Sequence, residues 1–282
     1  MKDLSILIVH YNTPRLLRQT LRGIRSSAPR LAYETIVVDN NAKARVDGMI
    51  RREFPEVRVV VSEKNLGFGG GMNVAMKEAS GRYLVVFNPD IALFPGALEE
   101  FVRFMDEKKD VGIMGPKLLN PDRSLQYSCY RFMRPATIAY RRLPFIRNSA
   151  LAQKEMERYM MLDWDHNQTR DVDYMLGACL VIRREAYEKV GGFDPAFFMY
   201  FEDQDLCRRF WKAGWRVVYH PGASMVHYHR RETAEGSFLQ QLKNPLTRIQ
   251  MQSARIYFAK YRGEGNPREA WEKQKTGGII DG

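Results

Sequence analysis

The sequence has no apolar stretch near the roughly 18 uncharged residues that a membrane-spanning helix requires. Asp3 and the lack of a long apolar run near the amino terminus fit no secretory leader, so a cytoplasmic protein is expected. Cysteine is scarce. Cys129, Cys179 and Cys207 lie far apart, without the paired spacing of a zinc site or a disulfide framework, and read as reduced packing residues. Acidic residues are outnumbered, 33 against 44 basic ones, and the formal charge of +11 favours a polyanion: nucleic acid, an acidic lipid surface or a phosphorylated substrate. No helix-turn-helix, zinc or RNA-recognition signature organises the arginines, which argues against nucleic acid. Nor is there an internal repeat.

What is present suits a globular protein. With 282 residues and 45% hydrophobic content, the chain can bury one large core, as a single domain or a domain with an appendage. Apolar runs at 4–9, 35–38, 57–61, 83–87 and 111–116 are continuous rather than alternating, as in strands covered on both faces. Helical patterns separate them at 14–26, 46–54, 69–79 and 95–107, with Pro14 suited to a first turn and Pro55 to a stop. This is the rhythm of a doubly wound α/β sheet, which binds ligands at the carboxyl edge of its strands. Residues 120–170 lose the rhythm and read as an excursion from the sheet. A strand at 174–182, a helix from about 202 to 214 and a strand at 215–219 restore it. Residues 238–261 suit one or two amphipathic helices broken near Pro245.

Polar clusters fall just after strands: Tyr11-Asn12, Asp39-Asn40-Asn41, Asn88-Pro89-Asp90 and, later, Glu202-Asp203-Gln204-Asp205. Singly, each can be a cap or a turn. Together, at one sheet edge, they describe a site. The glycine-rich stretch 65–73 invites a dinucleotide-binding reading, but Met72 stands where G-x-G-x-x-G needs glycine, and the loop follows the third strand, not the first. Its glycines instead let the backbone near Asn65, Gly67 and Phe68 approach a ligand, with Asn73 presenting an amide from the next helix. Asp90 can hold Mg²⁺ or Mn²⁺ through oxygen, and His227 completes that site if the fold brings the two together. Glu202 and Asp203 open a helix, whose dipole lowers a carboxyl pKa while burial raises it.

Three segments in order carry a longer signature: Gly177-Ala178-Cys179-Leu180-Val181-Ile182-Arg183-Arg184, then Val190-Gly191-Gly192-Phe193-Asp194, then 197–209 with Glu202-Asp203-Gln204-Asp205 at its centre. With the earlier clusters, over roughly residues 4–229, the chain resembles the family 2 inverting glycosyltransferases of the GT-A fold, particularly the bacterial rhamnosyltransferase-like branch. The resemblance implies a catalytic domain over residues 1–235, with a nucleotide-binding half to about 117 and an acceptor-binding half to about 235. A helical extension and frayed tail follow over 236–282.

By the same resemblance, Tyr11, Asn12 and Asp39 hold the nucleobase, and Asn65, Gly67, Phe68, Asn73, Asn88 and Asp90 the rest of a nucleotide-sugar donor. Asn88-Pro89-Asp90 matches the family's metal-binding D-x-D with Asn in first place, leaving Asp90 and His227 for Mg²⁺ or Mn²⁺. Met72 replaces an arginine common in relatives, so Arg230 and Arg231 are expected to balance the diphosphate. Gly177, Ala178 and Glu202 line the acceptor, and Asp203 is the base. The implied donor is dTDP-L-rhamnose, with UDP-galactofuranose or UDP-N-acetylglucosamine as the alternative. The implied acceptor is a glycan or a polyprenyl-diphosphate-linked glycan of the cell surface. A non-catalytic nucleotide- or sugar-binding module is the third reading, against which the acid at 203 argues. The Arg-rich, apolar-interleaved residues 130–147 are expected to lie on an anionic bilayer, at the inner face of the membrane, or to make an oligomer contact.

Overall fold

The computed structural model describes residues 1–27, 29–41, 43–143, 145–228 and 244–277. In chain order the elements are β1 (Lys2–His10), α1 (Pro14–Ser27), β2 (Tyr33–Asp39), α2 (Asp47–Glu53), β3 (Arg58–Val61), α3 (Gly67–Glu78), β4 (Gly81–Phe87) and β5 (Ile91–Leu93). Next come α4 (Ala97–Glu107), β6 (Val111–Leu119), β7 (Leu125–Gln126), β8 (Cys129–Tyr130), α5 (Pro135–Arg142), α6 (Ala150–Tyr159), β9 (Arg170–Asp171) and β10 (Tyr174–Met175). The last are β11 (Cys179–Arg183), α7 (Arg184–Val190), α8 (Glu202–Lys212), β12 (Arg216–His227), α9 (Pro245–Lys260) and α10 (Pro267–Gly277).

Among the described residues one large sheet runs β3-β2-β1-β4-β11-β6-β12-β5. β1 pairs in parallel with β2 and β4, as β6 does with β12, while β11 runs antiparallel between β4 and β6. The parallel strands therefore end along one edge, and β11 begins there.

Alternation along β1 divides the core between the two faces. Leu4, Ile6 and Ile8 join Leu17 of α1, Ile50 of α2 and Phe101 of α4. Leu7 and Val9 join Met72 of α3 and Leu206 and Phe210 of α8. Each such fully buried side chain contributes about 2 kcal/mol of transfer free energy.

The fold departs from the sequence reading in four places. Residues 174–182 are two strands: β10 pairs with β8 in a separate small sheet, and β11 enters the main one after a break at 176–178. Helix α3 starts at Gly67, two residues ahead of the expected 69. A Cβ on Gly67 (φ 73°) would stand 2.0 Å from the Phe198 carbonyl oxygen, so glycine admits the 197–201 loop onto the start of α3. The excursion at 120–170 rejoins the sheet twice, through β7 on β6 and β9 on β12. Finally, the strand expected at 215–219 continues to His227 through a register shift between His220 and Ser224.

Candidate active site

β4 ends at Phe87, and the chain turns through Asn88-Pro89-Asp90 into β5, which pairs antiparallel with the end of β12. The Tyr228 N–H donates to the Asp90 carbonyl at 2.9 Å, fixing Asp90 beside His227. His227 Nε2 lies 3.3 Å from Asp90 Oδ1. Its Nδ1 lies 2.6 Å from Gln126 Oε1. The Gln126 amide nitrogen donates to Asn120 Oδ1 and to the His227 carbonyl, so its oxygen must face the ring. Nδ1 therefore donates to Gln126, and Nε2 is the ring nitrogen that faces Asp90.

Asp90 Oδ1 is buried and accepts no hydrogen bond among the described residues. A carboxylate oxygen and an imidazole nitrogen this close have the donor chemistry to share a divalent cation, and a ring fixed through its other nitrogen is the second-shell pattern of a histidine metal ligand. Asn88 Nδ2 stands 3.5 Å from the same ring nitrogen. Among the described residues no three His, Cys, Asp or Glu side chains gather, so an ion here would draw its other ligands from elsewhere, as Mg²⁺ and Mn²⁺ draw oxygens from phosphates.

The second corner is the start of α8. Tyr200 and Phe201 both hold left-handed φ, 70° and 68°, a strained pair that turns the chain sharply into the helix. Phe201 is held from behind by Tyr257 and Phe258 of α9. Asp203 Oδ2 accepts the Gly177 N–H at 3.1 Å, and Oδ1 accepts the Gln204 N–H at 2.7 Å. Enclosed by protein yet still in touch with solvent, Asp203 has its pKa pushed by desolvation up to about 6, against those backbone bonds. Beside it Glu202 is buried, with Oε2 unpartnered among the described residues; desolvation first, and then the Asp203 charge, push its pKa well up.

The two corners are joined by Gly177-Ala178. The Asn88 N–H donates to the Ala178 carbonyl at 2.9 Å, and the N–H of the preceding residue, Gly177, donates to Asp203. A wall of three tyrosines adjoins the base. Tyr130 stacks on Tyr159 and Tyr174, whose hydroxyls meet at 2.6 Å. Burial first, and the nearby Asp203 charge among the other causes, push all three phenols up.

The residues expected around a nucleotide separate into exposed and committed ones. Tyr11 is exposed, and Asn12, at a left-handed φ of 57°, accepts from the Asn41 amide. Asp39, expected at the nucleobase, is fully buried and accepts from the Val46 N–H and from His10 Nδ1. His10 Nε2 in turn accepts the Thr13 N–H, and burial pushes this imidazole's pKa down. Asn73 is likewise committed, donating to the Phe193 carbonyl at 2.7 Å and accepting its N–H at 2.8 Å. It ties α3 to the 191–194 turn rather than presenting an amide to solvent.

Asn65 accepts the Gly67 N–H and caps α3, while Phe68 is half-buried against Phe193. Arg230 and Arg231 lie outside the described residues. Sequence reasoning missed Gln126, the tyrosine wall and the bracing role of Asn40, which accepts the Leu66 N–H and donates to Asn65 and Gly67. Only Asn40, inside a cluster already singled out, had a local signal.

Comparison with known proteins shows the family and the fold. The family described as "Glycosyltransferase like family 2" matches residues 2–248. An N-acetylglucosaminyl-diphospho-decaprenol L-rhamnosyltransferase of Mycobacterium tuberculosis is 28% identical over 244 residues, 82% of this chain and 77% of that one. Among solved structures, the mannosyltransferase of Pyrobaculum calidifontis with GDP-Man and Mn²⁺ superposes with a TM-score of 0.56 at 16% identity, over 99% of this chain and 80% of that one. GalNAc-T7 with UDP, GalNAc and Mn²⁺ gives a TM-score of 0.63 at 15% identity, covering 93% of this chain, which spans 50% of that protein. The fold is GT-A.

Proposed function

The chain belongs to glycosyltransferase family 2, and on that premise we propose that it transfers L-rhamnose from dTDP-L-rhamnose, with inversion, to a hydroxyl of a glycan or lipid-linked glycan acceptor. One observation carries the reading: a base-capable carboxylate at Asp203 lies only two hydrogen bonds from the Asn88–Asp90 corner, through Gly177-Ala178. A pure binding module has no use for that pairing.

In the proposed reaction, Asp203 takes the proton of the acceptor hydroxyl as its oxygen bonds to the anomeric carbon. The bond from that carbon to the donor diphosphate breaks on the opposite face, and its electron pair leaves with the diphosphate. A raised pKa suits this task, because the carboxylate is a stronger base than a solvated aspartate yet is ionised at neutral pH. Asp90 and His227 would hold a divalent cation, with Gln126 fixing the ring. When bound, such an ion supplies positive charge where the departing diphosphate gains negative charge. The neighbours solved with Mn²⁺ support that assignment.

The sugar is supported by the name of the M. tuberculosis relative, an L-rhamnosyltransferase, and the dTDP carrier by the sequence resemblance alone. A hydrolysis panel of dTDP-rhamnose, UDP-galactofuranose and UDP-N-acetylglucosamine, with and without Mg²⁺ or Mn²⁺, tests it. The reading expects turnover of the dTDP donor; preferential turnover of a UDP-sugar replaces it.

A further inference from the structure

Residues 134–154, which span α5, the following loop and the first half of α6, carry no acidic residue, and neither does any part of α9. They are far apart in sequence but meet in space, where the Arg142 guanidinium donates to the Gln250 side chain. At the tip between α5 and α6, Phe145 is 82% exposed and Leu151 69% exposed, the largest exposures of any described bulky apolar side chain apart from Met1. Arg147 stands between them, and Met251 and Arg248 are exposed on α9. Among the described residues Arg147 and Arg248 have no acidic group within ion-pair distance.

We infer that this face docks on the surface of an anionic lipid bilayer, with Phe145 and Leu151 entering the headgroup region and Arg147 and Arg248 resting on lipid phosphates. Apolar side chains on a protruding tip, ringed by cations of a single sign, match the layered chemistry of such a surface. Generic polyanion binding has no use for the exposed phenylalanine and leucine. Among the described residues no helix is long and apolar enough to cross a membrane, so the contact is peripheral.

The face also lies beside the proposed base. The Met133 N–H, just before α5, donates to Gln204 Oε1 at 2.5 Å, and Tyr257 of α9 packs on Phe201. Docking would bring a lipid-linked acceptor to Asp203, a consequence that rests on the proposed function; the docking itself does not.

Co-sedimentation of the full chain with phosphatidylcholine vesicles, alone or with about 30% phosphatidylglycerol, tests the inference without any substrate. We expect binding to the anionic vesicles at least about tenfold stronger than to the neutral ones, and lost on raising salt. Phe145→Ser with Leu151→Ser should weaken it about tenfold or more at unchanged charge, and Arg147→Glu with Arg248→Glu should remove the anionic preference. All four substitutions are on the surface, and each variant should hydrolyse donor as the parent does. Equal binding to both vesicles, undiminished binding by the serine variant, or a dimer that the serine variant splits while vesicles are ignored, would overturn the inference. Vesicle binding in a chain that turns over no nucleotide-sugar would sink the proposed function and leave this inference standing.

Discussion

Asp90 Oδ1 and His227 Nε2 face each other across 3.3 Å, and Gln126 fixes the ring through its other nitrogen. The pair has the donor set to hold a divalent cation, with Gln126 orienting the ring. Asp90→Ala should therefore weaken nucleoside diphosphate binding measured by calorimetry in Mg²⁺ or Mn²⁺. Gln126→Leu, which touches no ligand, should lower metal affinity about 10- to 100-fold. Binding that is the same with and without metal contradicts the assignment.

Glu202 gives a stability test. Its pKa in the fold is raised from the ordinary 4.5 by burial, so the folded state holds the proton more tightly than the unfolded chain does. Stability is then lost as pH climbs from the unfolded value through the folded one. Glu202→Gln has no charge to bury, so its melting temperature should match the parent near about pH 4 and exceed it near about pH 8. A constant difference across that range contradicts a buried, proton-holding Glu202.

Asp203 gives the pH dependence of turnover. As a base it works ionised, and with its pKa raised to about 6 the rate should fall about tenfold per pH unit below that point. A flat rate from about pH 8 down to about pH 5 would remove it from the proton transfer.

Much of this was legible in the sequence because continuous apolar runs mark covered strands, and polar clusters at their ends mark the edge where ligands bind. Tyr11, Asn88, Asp90, Asp203 and His227 all fall along that edge. What was illegible depends on contacts between distant residues. Gln126 reaches His227 across 101 positions, and Asn73 reaches Phe193 across 120. Nothing local announces either partner. The break between β10 and β11 escaped because Leu176-Gly177-Ala178 reads as apolar and small, with no proline or polar turn residue. The earlier start of α3 escaped for a different reason: glycine disfavours helix, and what calls for glycine at 67 is the distant Phe198 backbone crossing it. The bracing of Asp39 by Val46 and His10 was illegible too, because a strand-end carboxylate does not announce which distant N–H groups it accepts from.

The account stands most directly on Asp203→Asn. The substitution keeps the shape and an oxygen for the Gly177 N–H while removing the base. Turnover of donor with acceptor should fall about 100-fold or more, while calorimetric affinity for the metal–nucleotide pair stays within about twofold of the parent. Near-normal turnover with that binding intact would contradict the account.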